Sequence, residues 1–238
     1  MLKEAALPIL IGALKIAFGF TLIIGIHELG HTIAALLCGV KIKRFSLGMG
    51  PGWTIKNVRW FNELTISPIV IGGYVQMDME MLNQKSFWQR FFVFIAGMLA
   101  NVLLAILIFT IAGHNVLNSA VGCFFFWLAG WPIFLHQLFS EAITVQESLG
   151  GPVMIGQMMT GGEIPYLKTL AMINLAIAMF NLLPLPPLDG GHIFVDILKK
   201  IIGEKAGNAV GKVLMSIGVV AIILLLVYVT RNDILRIA

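Results

Sequence analysis

The chain alternates between long apolar runs and shorter segments that carry most of its polar residues. A membrane-spanning helix needs about 20 predominantly apolar residues. Four stretches meet this requirement, at about residues 14–37, 90–112, 166–183 and 213–230. The pattern therefore predicts an α-helical polytopic membrane protein with about four transmembrane helices in a single domain.

Composition agrees with a membrane protein. Of the 238 residues, 58% are hydrophobic and only 12% are charged, whereas a soluble domain has about 25% charged residues. The net charge of +4 is modest, and no stretch interleaves basic and aromatic residues as nucleic-acid-binding surfaces do. We therefore expect membrane lipid as a partner and no nucleic acid.

Residues 42–77 follow a different pattern. They are rich in glycine and β-branched residues, which is typical of short strands, with turns expected at Gly48–Gly52 and near Asn62. Strands at membrane depth require protein or a cavity to satisfy their backbone groups. We predict a small membrane-associated β-sheet or hairpin beside the first spans, whose free edge could pair with an extended peptide.

The basic residues indicate an orientation. Most of them lie between the first and second spans or between the third and fourth, which places these two loops in the cytoplasm and both termini outside. His27 and His31 then lie in the cytoplasmic half of the first span. The basic residues of the two loops are Lys41, Lys43, Arg44, Lys56, Arg59, Lys85, Arg90, Lys199, Lys200, Lys205 and Lys212.

The segment GIHELGHTIAALL, residues 25–37, places three ionisable residues within the first apolar run. His27 and His31 are four residues apart and share a helix face, so both imidazoles can bind one metal ion. Glu28 is placed to take a proton from the attacking water, as in HExxH zinc hydrolases. A chance match is the alternative, but ionisable residues inside a membrane are costly and usually functional.

A catalytic zinc site uses three protein ligands and leaves one position open. The candidates for the third ligand are His114, His136, His192 and the acidic residues. His114 follows the second span at the wrong depth, and His136 lies in the ambiguous apolar stretch 120–139. Asp189 follows a proline-rich segment that ends the third span, and two glycines after it allow a tight turn. A helix-ending loop with an incidental aspartate explains the same pattern, so spacing alone leaves this ligand open.

The apolar stretch 120–139 contains Gly130 and Pro132 within the sequence GWP. Asp189 reaches the histidines only if the third span runs in the same direction as the first, and one additional crossing would reverse it. We therefore predict that this stretch lies at the outer interface or re-enters the membrane without crossing it. A proline that interrupts a helix agrees with this prediction.

Five motifs occur together and in the same order as in the site-2 proteases: HELGH, FSLGMGP, GGYV, LNQKSFWQRFFVFIAGMLAN and NLLPLPPLDGGH. The chain resembles that family of zinc intramembrane metalloproteases over about residues 20–112 and 148–235. HELGH alone is moderately specific, whereas its combination with PxxDG after a third span is highly specific. The resemblance implies one Zn²⁺ held by His27, His31 and Asp189, with Glu28 as general base.

The resemblance also implies a substrate site and a location. Asn181 would lie near the metal and help to hold the substrate or the developing oxyanion. Residues 42–77 would form the β element that holds an unwound helix of the substrate. The protein would lie in the bacterial cytoplasmic membrane, with its active site toward the cytoplasm.

The chain departs from the family pattern in several places. The segment between Gly113 and Pro165 is too short for the PDZ domains of stress-response relatives. No CBS domain is expected after the fourth span, so we expect a compact type. Met98 stands where the family's AGPxxN motif has proline, and Ala176 stands where a second asparagine is common. Asn174 is nearby but out of register, so no role is transferred to it.

Three further features have two interpretations each. Asn101 is expected to form an interhelical hydrogen bond, and a substrate contact is the alternative. His192 is expected to cap the following helix or to hydrogen-bond a carbonyl, and a fourth metal ligand is the alternative. Gly72 and Gly73 permit either a tight bend of the strand or close approach of a substrate backbone.

The sequence thus predicts a zinc-dependent endopeptidase that hydrolyses bonds within or near transmembrane segments of membrane-protein substrates, in regulated intramembrane proteolysis. One alternative is a membrane-embedded zincin that cuts soluble loops, although such enzymes usually take a glutamate as third ligand. The other is a non-catalytic zinc-binding membrane scaffold, which would have no need of Glu28.

Overall fold

The structure, a computed structural model, describes residues 2–67, 69–139, 159 and 165–237. Helix α1 (Leu2–Leu37) is followed by strands β1 (Ile42–Met49), β2 (Trp53–Val58), β3 (Phe61–Ile66) and β4 (Ile69–Met77). The described helices that follow are α2 (Met79–Asn83), α3 (Phe87–Ile111), α4 (Val116–Phe139), α5 (Tyr166–Asn181), α6 (Asp189–Ile202) and α7 (Glu204–Ile237).

Three of the described helices are long and apolar enough to cross a membrane. They are Leu10–Leu37 within α1, Phe87–Ile111, which is α3, and Glu204–Leu235 within α7. These helices correspond to the first, second and fourth predicted spans. The helix of the fourth begins at Glu204, well before the predicted start at 213, because its amphipathic first turns continue directly into the apolar run.

The third predicted span, 166–183, is shorter in the structure than expected. Helix α5 has 16 residues, which is about 24 Å at the usual rise of 1.5 Å per residue. The described residues therefore do not confirm a count of four spanning helices. The helix ends at Asn181 because the following segment contains prolines, which cannot continue a helix. Its buried face carries Thr169, Leu170, Ala171, Asn174, Leu175 and Ala178.

The predicted sheet between the first two spans is present and has four strands in the order β2-β3-β1-β4. Strand β1 is parallel to β3 and antiparallel to β4. The second turn lies at Arg59–Trp60, just before the position expected near Asn62. Gly72 in β4 has a φ of 110°, a conformation that favours glycine, so the strand-bend interpretation fits this residue. Strand β4 is left at one edge of the sheet, beside α1.

Helices α1 and α5 run in the same direction. Near the N-terminal end of α5, the Tyr166 hydroxyl donates a hydrogen bond to the Lys15 carbonyl at 2.8 Å. Just beyond its C-terminal end, Asp189 lies 3.0 Å from His27. Asp189 therefore lies at the depth of the histidines. This agrees with the expectation that the third span runs in the same direction as the first.

Two apolar clusters pack against α1, above and below the histidines. One contains Ala35 with Val93 of α3 and Ile193 of α6. The other contains Ile23 with Ala105 of α3 and Leu175 of α5. His27 and His31 lie between these clusters along α1, so their surroundings are fixed by close packing on both sides.

Helix α4 folds back along the other helices. The hydroxyl of Thr110 donates to that of Ser119 at 3.4 Å where α3 ends and α4 begins, and Gly130 contacts Met179 near the end of α5. The helix continues through Pro132, so the expected interruption there is wrong. A helix in apolar surroundings satisfies its own backbone groups, which favours continuity over a break. The interfacial or re-entrant placement of 120–139 stays a prediction.

Helices α1 and α3 approach most closely at Gly30, and Gly30→Ala is expected to destabilise the fold. A Cβ there would lie 2.5 Å from the Ala96 carbonyl oxygen and 2.8 Å from Ala100 Cβ. Overpacking of this kind costs about 1–3 kcal/mol, more than the roughly 1 kcal/mol by which alanine favours a helix. Thermal unfolding in detergent should show a lower midpoint. In the control Gly122→Ala, where a Cβ meets nothing within 4 Å, the midpoint should not fall; equal midpoints would contradict the close crossing.

Candidate metal centre

The two histidines of α1 lie on one face of the helix, one turn apart, as predicted. Their Nε2 atoms are 3.1 Å apart, and their rings are inclined at 84°. Both residues are buried, with exposed fractions of 8% for His27 and 4% for His31. Two neighbouring imidazole nitrogens therefore point toward one location within the helix bundle.

Asp189, the first residue of α6, completes the cluster. Its Oδ2 lies 3.0 Å from His27 Nε2 and 3.2 Å from His31 Nε2. Burial raises the pKa of the Asp189 carboxyl, but the hydrogen bonds with the two histidines outweigh this effect and hold the pKa below its usual range. The structure thus brings Asp189, which spacing alone left open as a ligand, to the two histidines.

The glycines after Asp189 have a different role from the expected tight turn. Gly190 and Gly191 belong to the first turn of α6. A Cβ at Gly190 would overlap the Leu182 carbonyl, and one at Gly191 would overlap the backbone of Pro186. The two glycines therefore let the proline-rich loop pack directly on the helix that begins with Asp189.

The three ligand atoms fit a zinc ion. Tetrahedral zinc with Zn–N and Zn–O distances of about 2.0–2.2 Å places neighbouring ligand atoms about 3.3–3.6 Å apart, so a small outward movement of the three side chains would admit the ion. The observed separations are 3.0 to 3.2 Å. Two imidazoles and one carboxylate are ordinary zinc ligands, and three protein ligands leave the fourth position open, as a catalytic site requires.

The outer nitrogens of both imidazoles meet partners on α3. His31 Nδ1 lies 2.7 Å from the Val93 carbonyl oxygen, to which it donates. His27 Nδ1 lies 3.3 Å from Asn101 Nδ2, while Asn101 Oδ1 is buried without a partner among the described residues. A His27 that binds metal through Nε2 carries its proton on Nδ1, and this proton would satisfy Asn101 Oδ1 once the amide turns over.

Asn101 thus forms the expected interhelical hydrogen bond. The residue is fully buried, which favours this interpretation over a substrate contact. Its backbone carbonyl also accepts a hydrogen bond from the amide of Asn174 in α5. Asn174, to which the sequence assigned no role, therefore supports the partner of His27 and links α5 to the metal centre.

Glu28 lies at the same cavity as the three ligand residues. Its Oε2 accepts a hydrogen bond of 2.9 Å from the Val75 N–H of strand β4. Backbone groups of successive strand residues point alternately toward and away from the neighbouring strand. Because the Val75 N–H donates to Glu28, it points away from β1, at the outer edge of the sheet, and holds the carboxylate at the cavity.

The cavity beside the ligands has a volume of about 370 Å³ and mixed walls. Asn181, the last residue of α5, contributes a polar side chain to it, in the position that the resemblance implied for a substrate contact. The apolar wall consists of Ile24, Val75, Met77, Met79, Leu82, Phe94, Ile177 and Pro187. Such a mixture can accept apolar side chains while a few polar groups orient a peptide.

The remaining histidine candidates lie elsewhere. The ring of His192 stacks on Phe94, with centroids 5.0 Å apart and planes inclined at 10°, and burial lowers the pKa of this imidazole. His192 therefore packs at the cavity wall; it neither joins the ligand cluster nor acts as the expected cap. His114 lies beyond the end of α3 beside Phe109, and the side chain of His136 lies outside the described part of the chain.

Gly97 of α3 is a site residue that the sequence analysis missed. A Cβ at this position would lie 2.8 Å from His27 Cε1 and would overlap His31 Nε2. The α3 backbone therefore closes one side of the metal centre. Gly97 and Asn101 are four residues apart in the apolar stretch 91–109 of α3, so a stripe of small and polar residues at helical spacing was the available signal.

Comparison with known proteins connects this geometry to one family. A model described as Peptidase family M50 matches residues 15–225. A protein from Clostridium perfringens named "Putative zinc metalloprotease" is 25% identical over an alignment of 324 positions, which covers 91% of this chain and 96% of that protein. The alignment is longer than this chain, so that relative contains inserted residues within the matched region.

Two other relatives match more strongly over shorter regions. A protein of the same name from Xylella fastidiosa is 38% identical over 119 residues, 43% of this chain and 27% of the relative. The "Regulator of sigma E protease" of Haemophilus influenzae is 38% identical over 96 residues, 35% of this chain and 22% of the relative. This chain therefore covers only about a quarter of the length of either protein.

Gly97→Ala is expected to abolish stoichiometric zinc binding because the added methyl group occupies the space of the His31 ring. Zinc content of the purified protein, measured by elemental analysis, should fall well below one ion per chain. The control Gly122→Ala should retain the zinc content of the unmodified protein. Full zinc content in Gly97→Ala would mean that α3 does not close the metal centre.

Asp189→Ala is expected to weaken zinc binding strongly, whereas His192→Ala should keep it. The first substitution removes a ligand, and the second removes only a ring stacked on Phe94. Competition with a chelator of known affinity measures both variants on one scale. If the ranking were reversed, His192 and not Asp189 would be the third ligand.

Proposed function

Because this chain belongs to peptidase family M50, we propose that it is a zinc-dependent endopeptidase that cleaves membrane proteins within or near their transmembrane segments. The observation that carries the proposal is the meeting of His27, His31 and Asp189 with Glu28 at one cavity beside a free strand edge. The chain is an integral membrane protein, so this chemistry would take place among membrane-embedded helices.

His27, His31 and Asp189 would hold the zinc ion. When bound, zinc polarises the scissile carbonyl and makes a water molecule acidic enough to attack near neutral pH. The His31–Val93 and His27–Asn101 contacts orient the two imidazoles toward the ion and fix which nitrogen carries the proton.

Glu28 would act as general base and then as general acid. The carboxylate takes a proton from the attacking water as the new C–O bond forms. It then returns that proton to the amide nitrogen as the C–N bond breaks, so that the leaving group departs as an amine. The hydrogen bond from Val75 keeps one carboxylate oxygen in place and leaves the other available for the proton.

Strand β4 would bind the substrate. Its outer edge carries the backbone groups that point away from β1; the Val75 N–H among them is bonded to Glu28, which leaves the Val75 carbonyl and the groups of Gly73 for a substrate strand. A substrate helix must unwind before its carbonyl can be attacked, and the extended segment can then add to this edge as another strand. Because Val75 and Met77 also line the cavity, a strand bound there would pass directly beside the ligands.

Asn181, which lines the same cavity, would contact the reacting segment. Its amide can donate to the substrate carbonyl and stabilise the oxygen on which negative charge develops. The apolar wall around it suits the side chains of a transmembrane segment. These features support cleavage of membrane-embedded sequences, the reaction that underlies regulated intramembrane proteolysis.

The proposed location is the bacterial cytoplasmic membrane. Basic residues are concentrated in the sheet segment and around α6, which by the positive-inside rule face the cytoplasm. Both termini would then lie outside, and the metal centre would lie toward the cytoplasmic side. Substrates would be proteins with a transmembrane segment in the same membrane.

Glu28→Gln is expected to retain zinc and to lose about 10²–10⁴-fold in cleavage rate, the usual contribution of a general acid–base group. The assay uses a panel of single-span reporters in proteoliposomes, together with reporters whose cleavable sequence lies only in a soluble loop. Mass spectrometry of the products locates the cut. The matched control is Glu63→Gln in β3, an acid outside the cavity, which should cleave at the normal rate.

Each result of this assay has a definite meaning. Cleavage within the span that Glu28→Gln abolishes supports the proposal. Cleavage confined to soluble loops would identify a different type of membrane zincin. If the zinc-loaded protein cut no reporter, a non-catalytic zinc scaffold would replace the enzyme.

A further inference from the structure

A buried ion pair joins α3 to α6 at a distance from the metal centre. Arg90 Nε donates to Asp196 Oδ2 at 2.7 Å, and the exposed fractions of the two side chains are 16% and 7%. Lys199, one turn further along α6, lies 3.4 Å from the other oxygen of the same carboxylate. Arg90 Nη1 also donates to the carbonyls of Asn83 at 3.2 Å and Lys85 at 2.8 Å. The guanidinium is therefore held in one orientation by the chain that leads into α3.

The ion pair lies on the same helix faces as the metal centre. On α6, Asp189, Ile193 and Asp196 follow the i, i+4, i+7 spacing of one face, and Ile193 is buried against α3 in the apolar cluster. On α3, Arg90 and Gly97 are separated by seven residues and lie on one face. The two helices thus meet at two levels, first at Asp189 near Gly97 and then at Arg90 and Asp196. The levels are about 10 Å apart, because seven residues of a helix rise 1.5 Å each.

The N-terminal end of α6 is held against α3 by packing, through Ile193 in the buried cluster and His192 stacked on Phe94. No side chain caps this terminus among the described residues, and the N-cap residue is Leu188. The preceding loop packs on Gly190 and Gly191, which fixes where the helix starts. The ion pair adds a contact with fixed hydrogen-bond directions to this packing. The rotation of α6 about its axis decides whether the Asp189 carboxylate faces the histidines.

We propose that Arg90 and Asp196 are positioning residues for the metal ligand Asp189, which they align by fixing the register and rotation of α6 against α3. This inference rests on the zinc site of the proposed function. Burying two charges is costly, so an ion pair stabilises the contact between the helices no more than a well-packed apolar pair would. An ion pair with fixed hydrogen-bond directions adds a single preferred alignment.

The test is the zinc affinity of Asp196→Asn, which keeps the shape of the side chain and removes its charge. We expect a 10–100-fold loss of affinity, the usual effect of removing a group that orients a metal ligand. The visible spectrum of the cobalt-substituted protein should change in intensity, because it reports the coordination geometry. Thermal unfolding of the metal-free protein serves as the separate measure of stability.

The matched control is Glu63→Gln, which removes the charge from another Arg–carboxylate pair. Arg44 Nε donates to Glu63 Oε2 at 2.7 Å on the sheet, away from α6. Zinc affinity and cobalt spectrum should match the unmodified protein in this variant. If Asp196→Asn also had the zinc affinity and cobalt spectrum of the unmodified protein, the positioning role would be wrong, and the proposed function would be unaffected. If the unmodified protein bound no zinc, the proposed function itself would fail.

A double variant separates alignment from stability. Arg90→Met with Asp196→Leu replaces the ion pair by an apolar contact of similar volume, which typically preserves folding. The expected result is an unfolding midpoint close to normal together with weakened zinc binding and an altered cobalt spectrum. Normal zinc affinity in this variant would show that any close contact between the helices suffices, and would overturn the proposal even if Asp196→Asn failed to fold.

Discussion

Three metal-binding side chains can meet inside an apolar helix bundle only if the helices that carry them approach almost to backbone contact. His27 and His31 come from adjacent turns of one helix, and Asp189 comes from the first turn of another. The approach is possible because Gly97 brings the backbone of α3 against both imidazoles. The packing on either side, the loop before Asp189 and the position of the sheet all depend on this contact.

The surroundings of the centre explain why His27, His31 and Glu28 each have a protein partner. Water cannot solvate ionisable groups in an apolar interior, so each must find a protein partner or bear a large penalty. Val93, Asn101 and Val75 provide those partners from α3 and β4. In such surroundings each hydrogen bond is also stronger than in water, so the same atoms that satisfy the ligands hold them in place.

Much of the site could be predicted from the sequence because it depends on local spacing. The i, i+4 separation of His27 and His31 follows from helix geometry alone, and the glycine-rich pattern of residues 42–77 predicted the sheet. Asp189 was different, because its meeting with the histidines depends on the direction of α5. Only the family resemblance selected it before the structure was available.

The errors have a common physical origin in contacts between distant segments. The third span stays a prediction, because α5 ends at Asn181, two residues before the end expected from hydropathy. The interruption expected at Pro132 ignored the tendency of a helix in apolar surroundings to remain continuous. Gly190 and Gly191 were assigned to a turn, whereas in the structure their lack of a side chain leaves space for the loop that packs against them. An ion pair between residues 106 positions apart leaves no local signal at all.

Helix α3 supplies no metal ligand, yet Val93, Gly97 and Asn101 surround both imidazoles. The ligand set and its immediate environment are therefore encoded in separate stretches of the gene. Exchange of α3 between related proteins would leave the ligands untouched and alter only the contacts that set their orientation and basicity. Catalytic rate could drift through evolution, or be adjusted by helix exchange in the laboratory, while the motifs used to identify such proteins stayed the same.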